Sequence, residues 1–339
     1  MTSARKRAGF SLVEVMVSMV VLVLMMAVIF AITSQTSQLW QGTQSKITSF
    51  QDARAAFEAL TRNLSQATLK HYYDYYDSGW NPRTPSSTNF VPAYYGRYSD
   101  LHFVCGPVNT LFSSSLLGTK QSHAVFFQAP LGVVSDTTTY SQSTSLINAM
   151  GYYVEYSDNS SSTMLPAFLQ ATTSMNQKRF RLMQWIQPSE KFMLYDSTVM
   201  ASNPTGWYTT LTSNQSQCHV MADNVVALII QPQSTPGDTT LAPNYAYDSY
   251  PTAYDTVRSH LLPPIIQVTM VAIDRDSAMR LYLRYKNTEP ALYSPSLFLD
   301  ATKYASDLAQ LEATLQGGYG GPKLNYHVFT ATVNTHDNK

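Results

Sequence analysis

Glu14 stands where an acid is least expected. From Phe10 to Ile32 the chain runs for 23 residues with this carboxylate as its only charged side chain. An ionised acid in hydrocarbon is costly unless a partner is supplied. Immediately before the run come Gly9 and a basic cluster, Arg5, Lys6 and Arg7. A cleavable secretory signal has a shorter apolar region with small residues closing it. Here the small residue, Gly9, precedes the run, so any cut falls on the basic side and leaves the apolar segment on the chain.

Other reactive side chains form no comparable constellation. Seven histidines (71, 102, 123, 219, 260, 327 and 336) show neither a His-x-x-x-His nor a Cys-His spacing. Phosphate-cradling glycine loops, Gly-x-Gly-x-x-Gly and Gly-x-Ser-x-Gly are absent from the sequence. Counted at a strand's period of two, His102 and Cys105 would face opposite sides. Asp74 with Asp77, and Asp274 with Asp276, lack the loop that calcium needs and read as solvated turn acids. Cys105 and Cys218 are too few for a metal site. In an exported domain they are permitted to form a disulfide, contributing about 4–5 kcal/mol by chain entropy, and the alternative is two free buried thiols. No catalysis, metal or cofactor is expected.

Composition narrows the class. Charged residues make up 13% of the 339, about half the usual share of a soluble domain, and their signs balance to zero. Apart from the N-terminal three there is no basic cluster, which argues against nucleic acid as a partner. With 44% hydrophobic residues and 23 tyrosines, the chain has ample material for a core.

The elements that must position Glu14 are legible. As a helix, the 23-residue run spans about 35 Å, enough to cross a bilayer. The basic residues ahead of it predict an N-terminus in the cytoplasm and everything after Ile32 outside the inner membrane. Between Ile32 and Lys70 there is no proline and one glycine, Gly42. Leu39, Trp40, Ile47, Phe50, Phe57, Leu60 and Leu64 recur mostly at helical spacing. A helix over residues 10–69 is expected, about 90 Å long, apolar all round at first and then laying one stripe on a globular domain.

At this point the run Gly9-Phe10-Ser11-Leu12-Val13-Glu14-Val15 resembles the prepilin signature of type IV pilins and type II secretion pseudopilins. The resemblance implies that a membrane prepilin peptidase cuts between Gly9 and Phe10 and methylates the new amine of Phe10. It further implies that Glu14 pairs with this amine on a neighbouring subunit, setting the stagger of a filament. The expected organisation is a cytoplasmic leader over 1–9, a transmembrane helix over 10–32, its amphipathic continuation over 33–70, and an extracytoplasmic β-rich domain over 71–339. The expected fold class is α+β and pilin-like, a long helix packed on a mainly antiparallel sheet.

Beyond the helix, residues 71–100 are rich in tyrosine, proline and glycine and read as a folded-back loop that caps the core. Short strands are expected at 101–105, 124–128, 151–156, 179–186 and 191–195, then at 218–232, 262–274 and 324–333. Helices are expected at 276–285 and 300–318, the latter capped by Asp300 or Thr302 and buried through Leu308, Leu311 and Leu315. Ala222-Asp223-Asn224-Val225, followed by a long loop and Pro264-Ile265-Ile266-Gln267-Val268, resembles the J-type minor pseudopilins. The C-terminal elements, with MGYYVEY and RFRLMQWIQPSE, resemble the Verru/Chthon cassette C proteins. Together these imply a structural subunit, with other pilin-like subunits, the peptidase and the inner membrane as partners. The alternative is an anchored module that binds a glycan or a partner protein.

Overall fold

Fifty-four residues, Leu12–Ser65, form one helix, α1. Nothing in them breaks a helix, since proline is absent and Gly42 is the only glycine. The structure, a computed structural model, describes residues 12–83, 89–140, 145–158, 177–195, 205–209, 217–251, 254–286, 288–318, 321 and 323–335. Within α1 the side chains of residues 38, 39 and 41–49 are not described. Internal contacts divide the chain into two units, Met1–Thr48 and Ser49–Lys339, and α1 contributes to both.

In the first unit, Leu12–Ser37 is long and apolar enough to cross a membrane, and none of it is buried within the protein. The second unit is built of antiparallel sheets. A hairpin joins β1 (Tyr72–Tyr76) to β2 (Tyr94–Tyr98). The strands β3 (Val104–Pro107), β4 (Lys120–Pro130), β5 (Ile147–Ser157), β6 (Arg179–Gln187), β7 (Cys218–Asp223) and β9 (Tyr247–Asp248) make a six-stranded sheet in the order β7-β6-β5-β4-β3-β9. A three-stranded sheet has the order β11-β10-β8, from β8 (Val225–Gln233), β10 (Ile265–Ile273) and β11 (Tyr326–Asn334). Besides short helical turns, the second unit has two longer helices among its described residues, α2 (Arg275–Tyr285) and α3 (Tyr304–Leu315), which makes the fold α+β. A long apolar helix followed by antiparallel sheets is consistent with a pilin-like fold.

Alternation explains the packing of the small sheet. Leu228, Ile230, Ile266, Val268 and Met270 enter one core together with Ala53, Ala56, Phe57, Leu60 and Leu64 of α1. Their neighbours Ala227, Ile229, Val271 and Ile273 point the other way, into a second core with Leu281 of α2 and Leu311 and Leu315 of α3. All nine residues of β8 are buried, although it is an edge strand. Side chains of β4 meet its backbone, where the register with β5 shifts between Gln121 and Val125. Gln121 Nε2 donates to the Val226 carbonyl (2.7 Å), Ser122 Oγ accepts from Leu228 N–H (3.0 Å) and His123 Nδ1 accepts from Ile230 N–H (3.1 Å). The irregularity thus satisfies an edge that would otherwise be buried unpaired.

Several expectations are corrected. Residues 71–100 hold a paired hairpin, because tyrosines facing each other across strands supply the packing that valine and isoleucine supply elsewhere. Residues 191–195 form no strand but lie in two short 3₁₀ turns, with Met193 N–H drawn to Gln187 Oε1 (3.1 Å). The expected strand over 218–232 is two strands in two sheets, divided at Asn224, which takes a left-handed φ of 66°. The stripe of α1 on the domain includes Phe57, Leu60 and Leu64, whereas Trp40 is exposed and Leu39 and Ile47 lie outside the described side chains.

Candidate functional site: the first turns of α1

Glu14 lies in the first turn of α1, exposed, among Leu12, Val13, Val15, Met16 and Val17, which are exposed as well. Gly9 and Phe10 lie outside the described residues. Polar groups further along the apolar stretch are turned inward on their own helix. Ser18 Oγ donates to the carbonyls of Glu14 and Val15, Thr33 to Ile29 (2.8 Å), Ser34 to Ala31 (3.0 Å) and Thr36 to Ile32 (2.8 Å). Such back-bonding hides a hydroxyl from an apolar surrounding. Glu14 is the only ionisable side chain between Leu12 and Ile32, and its carboxylate, when ionised, is an acceptor only. The arrangement provides one charge-assisted contact at a fixed level of an apolar rod. Ser18, four residues on, was overlooked in the sequence, although a hydroxyl at i+4 is the signal for this back-bond.

The other candidates do not converge. Neither Cys105 on β3 nor Cys218 on β7 is in a disulfide, so the permitted bridge is not formed in this structure. Three strands stand between them in the sheet, about 19 Å at the usual strand spacing. Burial pushes both thiols above their ordinary value, so neither is a ready nucleophile. Asp274 is no solvated turn acid: it is buried, caps α2 by accepting from Ser277 N–H (2.8 Å) and accepts from Asn325 Nδ2 (2.9 Å). Asp77 does hold a turn, accepting from the N–H groups of Gly79 (2.8 Å) and Asn81 (2.9 Å). Among the described residues no group of three or more His, Cys, Asp or Glu is placed to hold a metal ion.

One polar chain was invisible in the sequence because its members lie far apart in it. His102 Nε2 meets Asp248 Oδ1 at 2.7 Å, and Trp207 Nε1 donates to His102 Nδ1 at 3.0 Å. A carboxylate and a histidine so placed resemble the base of a hydrolase. The nitrogen that would take a proton from a nucleophile is occupied by the indole, however, and the group is a strut whose Trp207 and His102 are buried and whose Asp248 reaches the surface.

Residues 4–30 match the prokaryotic N-terminal methylation motif. No curated protein and no solved structure is matched by the chain. The motif is of the prepilin type and supports a type IV pilin-like structural subunit. It implies processing by a prepilin peptidase and assembly with other pilin subunits, and the apolar helix is consistent with a membrane anchor.

Proposed function

We propose that the chain is a minor pseudopilin, J-type in its resemblance, of a type II secretion or type IV pilus-like filament. The peptidase cuts between Gly9 and Phe10, and Phe10 becomes the methylated first residue. Arg5, Lys6 and Arg7 hold the leader in the cytoplasm, and the β-rich domain lies beyond the inner membrane. In the assembled filament, Glu14 of one subunit meets the Phe10 amine of the next. The observation that carries this reading is Glu14 itself, the sole ionisable group in an exposed apolar span inside a methylation motif. Pairing removes the penalty of leaving an acid alone in hydrocarbon and does so in one register only. The large domain favours a low-copy place near a filament tip over packing at every helical step.

Mass spectrometry of the protein taken from its native envelope tests the reading. The mature chain is expected to begin at N-methylated Phe10. A chain that still begins at Met1 overturns it. Replacement of Gly9 by a bulky residue is expected to leave an unprocessed, membrane-held precursor.

A further inference from the structure

Among the described residues, β11 has a paired strand, β10, on one side only. The direction of its free groups follows from the ladder. Beyond its two ends, Asp274 N–H donates to the Asn325 carbonyl and Thr335 N–H to the Pro264 carbonyl, both at 3.1 Å. Continued through the unbroken register, this pattern turns the backbones of His327, Phe329, Ala331 and Val333 towards β10. The N–H and carbonyl groups of Tyr326, Val328, Thr330, Thr332 and Asn334 therefore point outwards. Of these residues, Thr330, Thr332 and Asn334 are exposed. Val328, Thr330 and Thr332 make no backbone bond on the outer side among the described residues.

A free edge invites pairing, and proteins guard edges with charge, proline, bulges or brevity. Other edges of this domain are guarded. The backbone of β8 is met by side chains of β4. Strand β7 is short, shifts register against β6 and ends at Asp223. Strand β9 has two residues. In contrast, β11 runs for nine residues without proline, Lys, Arg, Asp or Glu, and without a register shift. Its outward row of donors and acceptors is matched in full by another extended strand.

The strand fits itself. In antiparallel pairing centred on Thr330, every outward residue of one copy meets an outward residue of the other. Thr330 faces Thr330 of the second copy, Val328 faces Thr332, and Tyr326 faces Asn334. Between them Phe329 faces Ala331 and His327 faces Val333. The rings thus meet smaller side chains, β-branched residues meet each other, and no like charges are opposed.

We infer that two copies of the chain associate through β11, joining their β8-β10-β11 sheets across a twofold axis. The contact is isologous and closes after two copies. It goes beyond the processing and anchoring reading and does not rest on it, since it is read on dispersed protein.

Sedimentation velocity of the full chain in neutral detergent micelles is the test. The parent is expected to dimerise. Thr332→Pro removes an outward N–H and spares the ladder with β10. Each copy then loses a hydrogen bond across the axis, and the dissociation constant is expected to rise about tenfold or more. Thr330→Lys and Thr330→Glu set like charges face to face, and each alone is expected to dimerise about threefold more weakly or worse. An equimolar mixture of these two is expected to regain the parent's affinity, because opposite charges then meet. That recovery separates pairing through β11 from damage to the fold and from association through α1. An unchanged circular dichroism spectrum establishes that the variants are folded, and if Thr332→Pro fails this check, the two charged variants carry the comparison. A monomeric parent overturns the inference, even one that gains mass by taking a strand from a different subunit. So does a dimer that the variants leave unchanged, or a mixture no tighter than its components.

Discussion

The two halves of α1 use apolar residues in opposite ways. From Leu12 to Ser37 every residue is exposed, although most are valine, leucine, methionine or isoleucine. From Ala53 to Leu64 a shorter set, Ala53, Ala56, Phe57, Leu60 and Leu64, is buried in the domain core. The first half is apolar all round, a pattern that one chain has no way to cover and that calls for lipid or other helices. The second is apolar on one stripe and carries Arg54 and Glu58, paired at 2.8 Å, on its exposed side. Hydrophobic content alone does not foretell burial within the chain. The angular distribution of that content does.

Glu14→Val provides the largest test of the contrast. It is expected to abolish filament incorporation, scored by co-purification with other subunits, while membrane insertion and domain unfolding stay as they were. Normal incorporation of the variant would remove the role given to Glu14. Next, Leu60→Ala is expected to destabilise the domain by about 2–5 kcal/mol in denaturant unfolding, whereas Leu22→Ala leaves that transition unmoved. Gly151→Ala probes the same core from the sheet. Gly151 lies across from Phe126 and Trp185 on the flanking strands, and a Cβ there would come within 2.0 Å of the Phe126 ring. The expected loss is about 3 kcal/mol, at the upper end for overpacking.

Acid is expected to destabilise the domain. Burial pushes His123 down to about 4, with its ring held between β8 and the Phe298 carbonyl. The unfolded chain takes up that proton near pH 6.5. Stability is therefore full above that value and is lost as pH falls from about 6.5 towards 4. His123 alone accounts for about 2 kcal/mol between pH 7 and 5. His260, pushed down to about 4 by burial and then by neighbouring cations, adds to it in the same sense. Denaturant midpoints at pH 7 and 5 check this, and His123→Gln is expected to flatten the difference. The smallest effect is chemical: alkylation of the unfolded, unreduced chain is expected to label both Cys105 and Cys218.

How much was legible follows from range. Elements with their own periodicity, such as α1, β5, β6, α2 and α3, were readable because the signal lies within each segment. The hairpin escaped because YYDYY and YYGRY have neither alternation nor β-branched residues and gain their partners only across the turn. The run KFMLY looks like a strand by composition, yet among the described residues no strand pairs with it. Glu14 was conspicuous as a single acid in an apolar run. The chain Trp207–His102–Asp248 and the bonds from Gln121, Ser122 and His123 to β8 depend on contacts across more than a hundred residues, which no local pattern encodes.

Asn224 is a single-residue corner between the two large sheets. Its N–H donates to Phe180 of β6 (2.6 Å), and its carbonyl accepts from Ile273 of β10 (2.9 Å). A protein engineer hoping to split this domain into separately expressed halves would find no slack here. The seam is one peptide wide and stitched on both sides, so a cut at Asn224 releases both fabrics at once.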